Sequence, residues 1–376
     1  GLGGEGLLGG AMVGYNYQVN SDFVVGIQGD IAWTGMDTEL NPGLLPISGS
    51  FGTDYIASIS ARAGVIVNPD TMLYALGGFS FAKSNFKLAV PIVGAVSLNE
   101  DYTGAHVGAG LETRVTDNLT ARVEYRYTAF DGENYGNAGL ARTSPSAHTA
   151  TVGLAWNWYD PNSTQVSEAV SYAQTDWTGL YLGGFVGAGA SVTDLKLLGG
   201  NFNGLGGEGF AAGAMVGYNY QVAPEFVLGL QADLTLTDLD NELNVGLLGI
   251  SASSGSDFVG SASVRAGWLA TPDTLLYVLG GFSRAESSFQ LNTPIGTGEI
   301  KQSFRGYHVG GGLETRVSER VTARMEYRYT EFGEEDSGTL GFLNFEPSMH
   351  TATFGFAYNW YEPNTGAVQT NGYGSY

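Results

Sequence analysis

Few side chains in this sequence are suited to acid–base or nucleophilic chemistry. The 376 residues include four histidines and no cysteine, which excludes disulfides and thiolate catalysis. His106 and His308 begin two similar segments, HVGAGLETRV and HVGGGLETRV, and share a strand face with Glu and Arg. A histidine in that setting can act as a proton-sensitive gate. The simpler interpretation is a hydrogen-bonded side chain that fills space.

The other two histidines, His148 and His350, follow Ser146 and Ser348 by two residues. A serine hydrolase would also need a matched acid and an oxyanion site, and the sequence signals neither. No cluster of His, Asp or Glu has metal-ligand spacing, and we interpret the acidic segments DGEN and GEEDSG as solvated loops rather than calcium sites. The sequence therefore predicts a protein that is not an enzyme and uses no cofactor or metal.

Composition narrows the class of protein further. There are 37 acidic and 16 basic side chains, a net charge of −21, which argues against a nucleic-acid partner. With 43% hydrophobic and 12% aromatic residues the chain is too apolar to be disordered. No uninterrupted apolar run approaches the roughly 20 residues of a transmembrane helix. A chain with 58 glycines and only 14% charged residues suits a β-barrel with lipid outside and polar groups inside.

A duplication organises the whole chain. The segment AMVGYNYQV begins at residue 11 and again at residue 214, and ARVEYRYT at residue 121 returns as ARMEYRYT at residue 323. The offset is 203 residues early in the chain and 202 later. This period is far longer than that of solenoids or propellers, so each copy is expected to be a folding unit or half of one large barrel.

Each copy has the pattern of antiparallel β-structure. Short polar turns alternate with long connections rich in Gly, Asn and Ser, such as 38–53, 87–99 and 132–145. The segments between them are long enough to cross a bilayer as strands. In the second copy we predict eight strands, at 176–192, 208–222, 226–240, 257–271, 275–290, 302–318, 321–333 and 349–362.

Charged and apolar side chains alternate along these strands. In TARVEYRYT the Arg and Glu side chains share one face and the Val and Tyr side chains the other. The charged face mixes both signs although the chain is strongly acidic, which favours a lumen over a solvated outer surface. The predicted lumenal charge network is Asp30, Arg62, Glu112, Arg114, Arg122, Glu124 and Arg126 in the first copy, and Asp233, Arg265, Glu314, Arg316, Arg324, Glu326 and Arg328 in the second.

The apolar faces end in tyrosine and tryptophan, as the lipid-facing surface of a membrane barrel does at its two interfaces. The predicted aromatic girdle consists of Tyr15, Tyr17, Trp33, Tyr125, Tyr127, Trp156, Trp158, Trp177, Tyr181, Tyr327, Tyr329 and Trp360.

The order of these motifs resembles that of a known protein family. The strand DWTGLYLGGFVGAGAS, the segment VGYNYQ, the pair HVGAGLETRV and ARVEYRYT, and the final GLAWNW together resemble the small eight-stranded outer-membrane β-barrel family. The alphaproteobacterial major surface proteins are most similar, and the OmpA membrane domain resembles the chain more distantly. The resemblance covers nearly the whole chain twice. It implies the outer membrane of a Gram-negative bacterium, extracellular loops, a periplasmic linker and tail, and structural, adhesive or host-contact roles.

The repeats predict an all-β transmembrane protein with two tandem up-and-down barrels. We place the first barrel at 1–160, a periplasmic linker at 161–175, the second barrel at 176–363 and a tail at 364–376. The first copy lacks an equivalent of the strand at 176–192, and seven strands would leave an open edge in hydrocarbon. An upstream segment of the chain is the simplest expected source of the missing strand, and donation by another chain is the alternative.

One wide barrel of 15–16 strands competes with two small ones. The polar linker favours two barrels, because a fused barrel would need only a tight turn there. Charges that balance within each copy also favour a plugged lumen over a channel.

The predicted function is therefore a structural and surface-display role. The alternatives are a passive diffusion porin, and a protein that binds haem or a host surface or self-associates. The expected partners are outer-membrane lipid and lipopolysaccharide, with a lateral homo-oligomer or array as a further prediction.

Overall fold

A computed structural model describes eleven stretches of the chain. They are residues 4–41, 48–90, 94–135, 141–143, 145–158, 176–197, 200–245, 250–293, 296–333, 335–336 and 343–361. All regular elements in these stretches are β-strands. Within the same stretches no helix is long and apolar enough to span a membrane. The predicted linker at 161–175 and the predicted tail at 364–376 lie outside the described residues.

The first repeat forms a curled antiparallel sheet of seven long strands and one short hairpin. Its strands are β1 Leu8–Gln18, β2 Phe23–Asn41, β3 Ser48–Asn68, β4 Thr71–Val90, β5 Gly94–Arg114, β6 Leu119–Phe130, β7 Glu133–Tyr135, β8 Ala141–Thr143 and β9 Ser146–Trp156. Successive long strands pair with each other, and β9 pairs with β6. The hairpin β7–β8 stands apart from this sheet. Among the described residues β1 and β9 are its two edges.

The second repeat closes into an eight-stranded barrel. Its strands are β10 Gly179–Leu197, β11 Gly200–Ala223, β12 Phe226–Val245, β13 Ile250–Thr271, β14 Thr274–Thr293, β15 Gly296–Arg316, β16 Val321–Phe332, β17 Glu335–Asp336 and β18 Leu343–Tyr361. The short β17 pairs only with β18. Closure comes from β10, which pairs along its length with both β11 and β18.

This closure contradicts the single wide barrel. In a wide barrel β10 would pair with a strand of the first repeat, whereas both of its edges are taken by strands of the second. Among the described residues, backbone pairing between the two repeats is limited to a two-residue ladder, in which residues 201 and 202 of β11 pair with residues 41 and 40 of β2. The architecture is therefore one closed barrel beside a curled seven-stranded sheet.

The two ends of each repeat differ, as the sequence predicts. At one end, called here the short-turn end, two to four residues join the strands, as between β3 and β4. At the other, the long-loop end, the strands extend further than predicted. The segments 38–53 and 87–99 were expected to be loops, but β2 and β3 leave only 42–47 between them, and β4 and β5 leave only 91–93. Polar, glycine-rich residues continue the ladder because backbone pairing does not require apolar side chains.

The two faces of each strand differ in polarity in the opposite sense to a soluble protein. On β14 the side chains of Val278 and Phe282 point outward and are 64% and 77% exposed. The alternate positions, such as Tyr277 and Ser283, are buried in the lumen. Because strand side chains alternate with period two, the same division runs along the other strands. The packed interior is thus a lumen in which buried polar and charged side chains lie between apolar clusters, and the outside is largely an apolar surface.

Candidate functional site

The lumen of the second barrel contains an extended network of buried charges. Arg265 on β13 donates to Glu314 on β15 at 2.7 Å, and their side chains are 1% and 0% exposed. Glu314 also accepts a 2.7 Å hydrogen bond from Thr322. The pair brings together residues 49 apart in sequence, and it spans the intervening strand β14 across the narrow interior.

A second cluster lies further along the same lumen. The guanidinium of Arg328 binds both carboxylate oxygens of Asp233 at 3.0 Å and one oxygen of Glu326 at 2.8 Å. Arg324 contacts Glu326 from the other side, and the hydroxyl of Tyr277 donates to Glu326 at 2.8 Å. Every carboxylate here has a positive partner, which offsets the cost of taking these charges out of water.

The first repeat has the same network. Arg62 donates to Glu112 at 2.7 Å, and Arg126 binds Asp30 at 2.9 and 3.1 Å and Glu124 at 2.9 Å. Arg122, the remaining central arginine, donates to Gln28 at 2.7 Å. The alternation of the sequence thus places twelve of the fourteen predicted residues in two equivalent networks, one in each repeat, and Arg114 and Arg316 lie elsewhere.

These two arginines lie at the short-turn end. Arg316 is fully buried, with its guanidinium carbon 4.7 Å from the ring centres of both Trp177 and Tyr361. It also donates to the backbone carbonyl of Asp176 at 3.0 Å. Arg114, its counterpart in the first repeat, is exposed. In the second repeat, the segment before β10 brings Trp177 against Arg316 and buries it.

Sequence reasoning missed the uncharged members of the network. They occupy inward positions on the same strand faces as the charged residues, so the alternation could have identified them. They were missed because the network was predicted from charged side chains. They are Gln28 and Tyr74 in the first repeat and Tyr181, Gln231 and Tyr277 in the second.

Two residues predicted for the aromatic girdle are instead inside the barrel. Tyr181 is fully buried, donates to Gln231 at 2.9 Å and lies against Arg265. Its neighbours Leu180 and Leu182 are about half exposed, so strand alternation turns Tyr181 inward. Trp177 precedes β10 and covers the mouth of the lumen, with its indole nitrogen donating to the carbonyl of Pro272 at 3.2 Å.

The other girdle residues face outward. Six of them are exposed to between 46% and 86%, and the remaining four tyrosines are half-buried beside His148 and His350. The exposed six are Tyr15, Tyr17, Trp33, Trp156, Trp158 and Trp360, and the half-buried four are Tyr125, Tyr127, Tyr327 and Tyr329.

The lumenal histidines bridge neighbouring strands. Both ring nitrogens of His308 lie 2.8 Å from a serine hydroxyl, Ser263 on one side and Ser283 on the other. His106 has the same arrangement with Ser60 and Ser80. A neutral imidazole accepts at one nitrogen and donates at the other, so two serines satisfy it completely. This geometry fits the space-filling interpretation of both histidines.

The outward histidines do not form a hydrolytic site in the described structure. The Nδ1 atom of His148 lies 2.6 Å from the Tyr125 hydroxyl, and its Nε2 atom lies 2.8 Å from Glu208. Ser146 donates to Glu208 rather than to the imidazole. A nucleophilic serine needs its base within hydrogen-bonding distance of its own hydroxyl, and here a carboxylate occupies that position.

The lumen of the second barrel contains a small cavity beside its charged cluster. A cavity of about 20 Å³ lies among Phe185, Met215 and the Arg324–Glu326–Arg328 cluster. That volume suits about one water molecule. Across the described stretches no group of three or more His, Cys, Asp or Glu side chains could hold a metal ion. The acidic segment DGEN lies within those stretches, whereas GEEDSG lies partly outside them.

Comparisons with known proteins agree with this architecture. A family model described as an outer membrane protein beta-barrel domain matches residues 3–157 and again residues 166–359. The 31 kDa outer-membrane immunogenic protein of Brucella melitensis is 26% identical over 203 residues, which cover 49% of this chain and 84% of that protein. The 25 kDa outer-membrane immunogenic protein of Brucella canis is 33% identical over 150 residues, 40% of this chain and 64% of that protein.

Among solved structures, the attachment invasion locus protein of Yersinia pestis is 14% identical, with a TM-score of 0.26 over 47% of this chain and 99% of that chain. The family match carries the assignment, because it spans most of the chain and falls once on each repeat. The chain belongs to the outer membrane protein beta-barrel family and is an outer-membrane protein of Gram-negative bacteria.

Proposed function

We propose that this protein is a structural outer-membrane barrel that presents its long loops at the cell surface and conducts no solutes through its lumen. Its expected surroundings are outer-membrane lipid and lipopolysaccharide. The observation that carries the proposal is the filled interior of the second barrel, where paired Arg and Glu side chains cross the space that a pore would occupy.

The charge distribution supports display of the loops. The predicted network contains eight arginines and six acids, so it contributes a small positive charge to a chain whose net charge is −21. The excess acidity therefore lies in the other segments, among them the loops and turns. Two of the relatives are named immunogenic outer-membrane proteins, which is the behaviour expected of proteins whose loops face outward.

The absence of a conducting pore can be tested in a planar bilayer. Because the buried charge clusters fill the lumen, the purified full chain is expected to give no stepwise conductance. A diffusion porin inserted into the same bilayer is the control for membrane quality and for detection of steps. Reproducible large steps from the full chain would contradict the proposal and support the porin alternative.

Display of the loops can be tested by labelling, since the natural chain contains no cysteine. Asp131 follows β6 at its long-loop end, and Asp117 precedes β6 at its short-turn end, and both are exposed. A membrane-impermeant maleimide added to intact cells is expected to label Asp131→Cys. It should label Asp117→Cys only after the outer membrane is permeabilised. The reverse pattern would show that the long loops face the periplasm.

A further inference from the structure

The outer surfaces of the two repeats are in contact along one line. At the short-turn end, the Thr71 and Thr274 hydroxyls lie 2.8 Å apart. Each is also hydrogen-bonded to a threonine of its own repeat, Thr113 at 2.9 Å and Thr315 at 2.8 Å. Asn68 crosses between the repeats as well, donating to Thr315 at 2.7 Å. These side chains form a hydroxyl ladder that connects the two repeats.

The adjacent turns approach each other too. Burial raises the pKa of the Asp70 carboxyl, and the negative charge of Asp273 in the equivalent turn adds to the shift. Asp70 and Asp273 are themselves equivalent residues of the two copies. The short-turn ends therefore meet at equivalent points.

Midway along the strands the contact is apolar. Leu111 and Val123 of the first repeat form one cluster with Leu313 and Met325 of the second, and all four are at most 4% exposed. These positions face outward, because they alternate with the lumenal charges on the same strands. Val107, also outward on β5, is 63% exposed. The loss of exposure is thus confined to part of the outer surface.

At the long-loop end the contacts become polar again. Glu208 of the second repeat accepts hydrogen bonds from Ser146 at 2.7 Å and from the His148 ring at 2.8 Å. In the equivalent contact, Glu5 of the first repeat is bonded to Ser348 at 2.8 Å and to His350 at 2.6 Å. The bond to His350 holds the pKa of Glu5 below its ordinary value.

Apart from the hydrogen bond of Asn68, whose equivalent residue is Thr271, these contacts occur with their exchanged counterparts. Thr71 and Thr274 are 203 residues apart, which is the offset of the duplication, so they contact each other across a pseudo-twofold axis. Glu208 with His148 and Glu5 with His350 are related by the same exchange. Contact between identical patches is the signature of an isologous interface. The tilt of barrel strands explains why the line runs from β4 and β14 at one end to β9 and β11 at the other.

We propose that this line is a lateral docking surface whose partner is a second barrel of the same kind, and that the duplication has joined the two partners in one chain. We call it the pairing stripe. In the first repeat it consists of Thr71, Thr113, Leu111, Val123, Ser146 and His148. The stripe contacts protein where the rest of the outer wall contacts lipid, so the two repeats form a side-by-side pair in the membrane plane.

Cysteine pairs test this arrangement in the full chain. Thr71→Cys with Thr274→Cys places two thiols at the axis, within the short reach of a disulfide. The control is Phe79→Cys with Phe282→Cys, on the same two strands at outward positions that are 66% and 77% exposed. Trypsin releases residues 63–83 and 266–284 from both variants, so the same two peptides report both pairs.

After mild oxidation in outer-membrane preparations, we expect the two peptides to be disulfide-linked in the Thr71/Thr274 variant and separate in the control. Under non-reducing denaturing electrophoresis the linked protein should migrate as a single chain. Two unlinked, alkylatable thiols at positions 71 and 274 would overturn the proposal, as would equal linkage in the control. Linkage that produces a two-chain band would overturn the intramolecular pairing, because it places the partner barrel on another molecule.

Discussion

Replacing Glu314 with alanine is expected to lower the free energy of unfolding of the second barrel by about 3–5 kcal/mol. The substitution leaves the Arg265 guanidinium in a lumen where its side chain is 1% exposed, with its 2.7 Å partner removed. The cost arises mainly from the uncompensated buried charge rather than from the lost attraction. Urea unfolding of the full chain in detergent micelles, followed by circular dichroism, measures the change through the transition midpoint.

Two variants separate charge burial from a general effect of mutation. Glu286 pairs with Arg284 at 3.9 Å, and both side chains are more than half exposed, so Glu286→Ala should change the unfolding free energy by no more than about 1 kcal/mol. The double variant Arg265→Met with Glu314→Met removes both charges and should recover much of the loss. If Glu314→Ala and Glu286→Ala lower the unfolding free energy equally, the buried Arg265–Glu314 pair does not stabilise the barrel.

Periodicity is the reason why so much of the network could be predicted from the sequence. Arg324, Glu326 and Arg328 lie two residues apart, and a strand with one polar face must place all three on it. Duplication made the pattern visible twice. The same arguments predicted eight strands in the second repeat, and the structure has them. Most of these strands extend further than predicted at the long-loop end, whereas their short-turn ends lie within three residues of the prediction.

The alternation could not show which face of a strand points into the lumen when that strand has no charged side chain. The segment around Tyr181 contains glycine and apolar residues only, so either face could have been the outer one. In the structure Tyr181 points inward, where its hydroxyl reaches Gln231 and its ring lies over Gly217, a position at which an added Cβ atom would overlap the ring. Packing across the barrel determines which face of this strand is inward, and the local sequence pattern does not predict that packing.

The pairing stripe was also invisible to sequence reasoning. Leu111 and Val107 have the same polarity and the same strand face, yet one is fully buried and the other is 63% exposed. Membrane barrels carry apolar residues on the whole outer wall, so an outward leucine gives no indication of whether lipid or protein covers it. The two cases are distinguished by the structure, in which Leu111 packs against Leu313 and Met325 of the second repeat.

The second large effect is expected at Gly281 on β14. Gly281 faces the lumen, where a Cβ atom would overlap the carbonyl oxygen of Ala262 and lie 2.8 Å from the Cα atom of Ser263. Both obstacles are backbone atoms of the neighbouring strand, so no side-chain rotation relieves them. We expect Gly281→Val to lower the free energy of unfolding by about 3 kcal/mol or more, the upper part of the range for overpacked sites.

The adjacent Gly280 is the matched control, because it has the same backbone and the opposite face. A Cβ atom there meets only the carbonyl oxygen of His308, at the ordinary contact distance of 3.6 Å. Gly280→Val adds a β-branched side chain to an outward surface where Val278 is already 64% exposed. It should therefore fold like the natural chain, with an unfolding free energy within about 0.5 kcal/mol.

Refolding yield and urea midpoint in the same micelles measure both variants. The first repeat contains the same pair of glycines. A Cβ atom added at Gly78 would overlap the carbonyl oxygen of Ile59, whereas one added at Gly77 would lie 3.5 Å from the carbonyl oxygen of His106. If tight curvature requires the inward glycine, Gly78→Val should be harmful and Gly77→Val harmless there too. Equal losses at the inward and outward positions would instead mean that the glycines serve the strand backbone alone, and that close approach of β13 and β14 does not limit the residue at position 281.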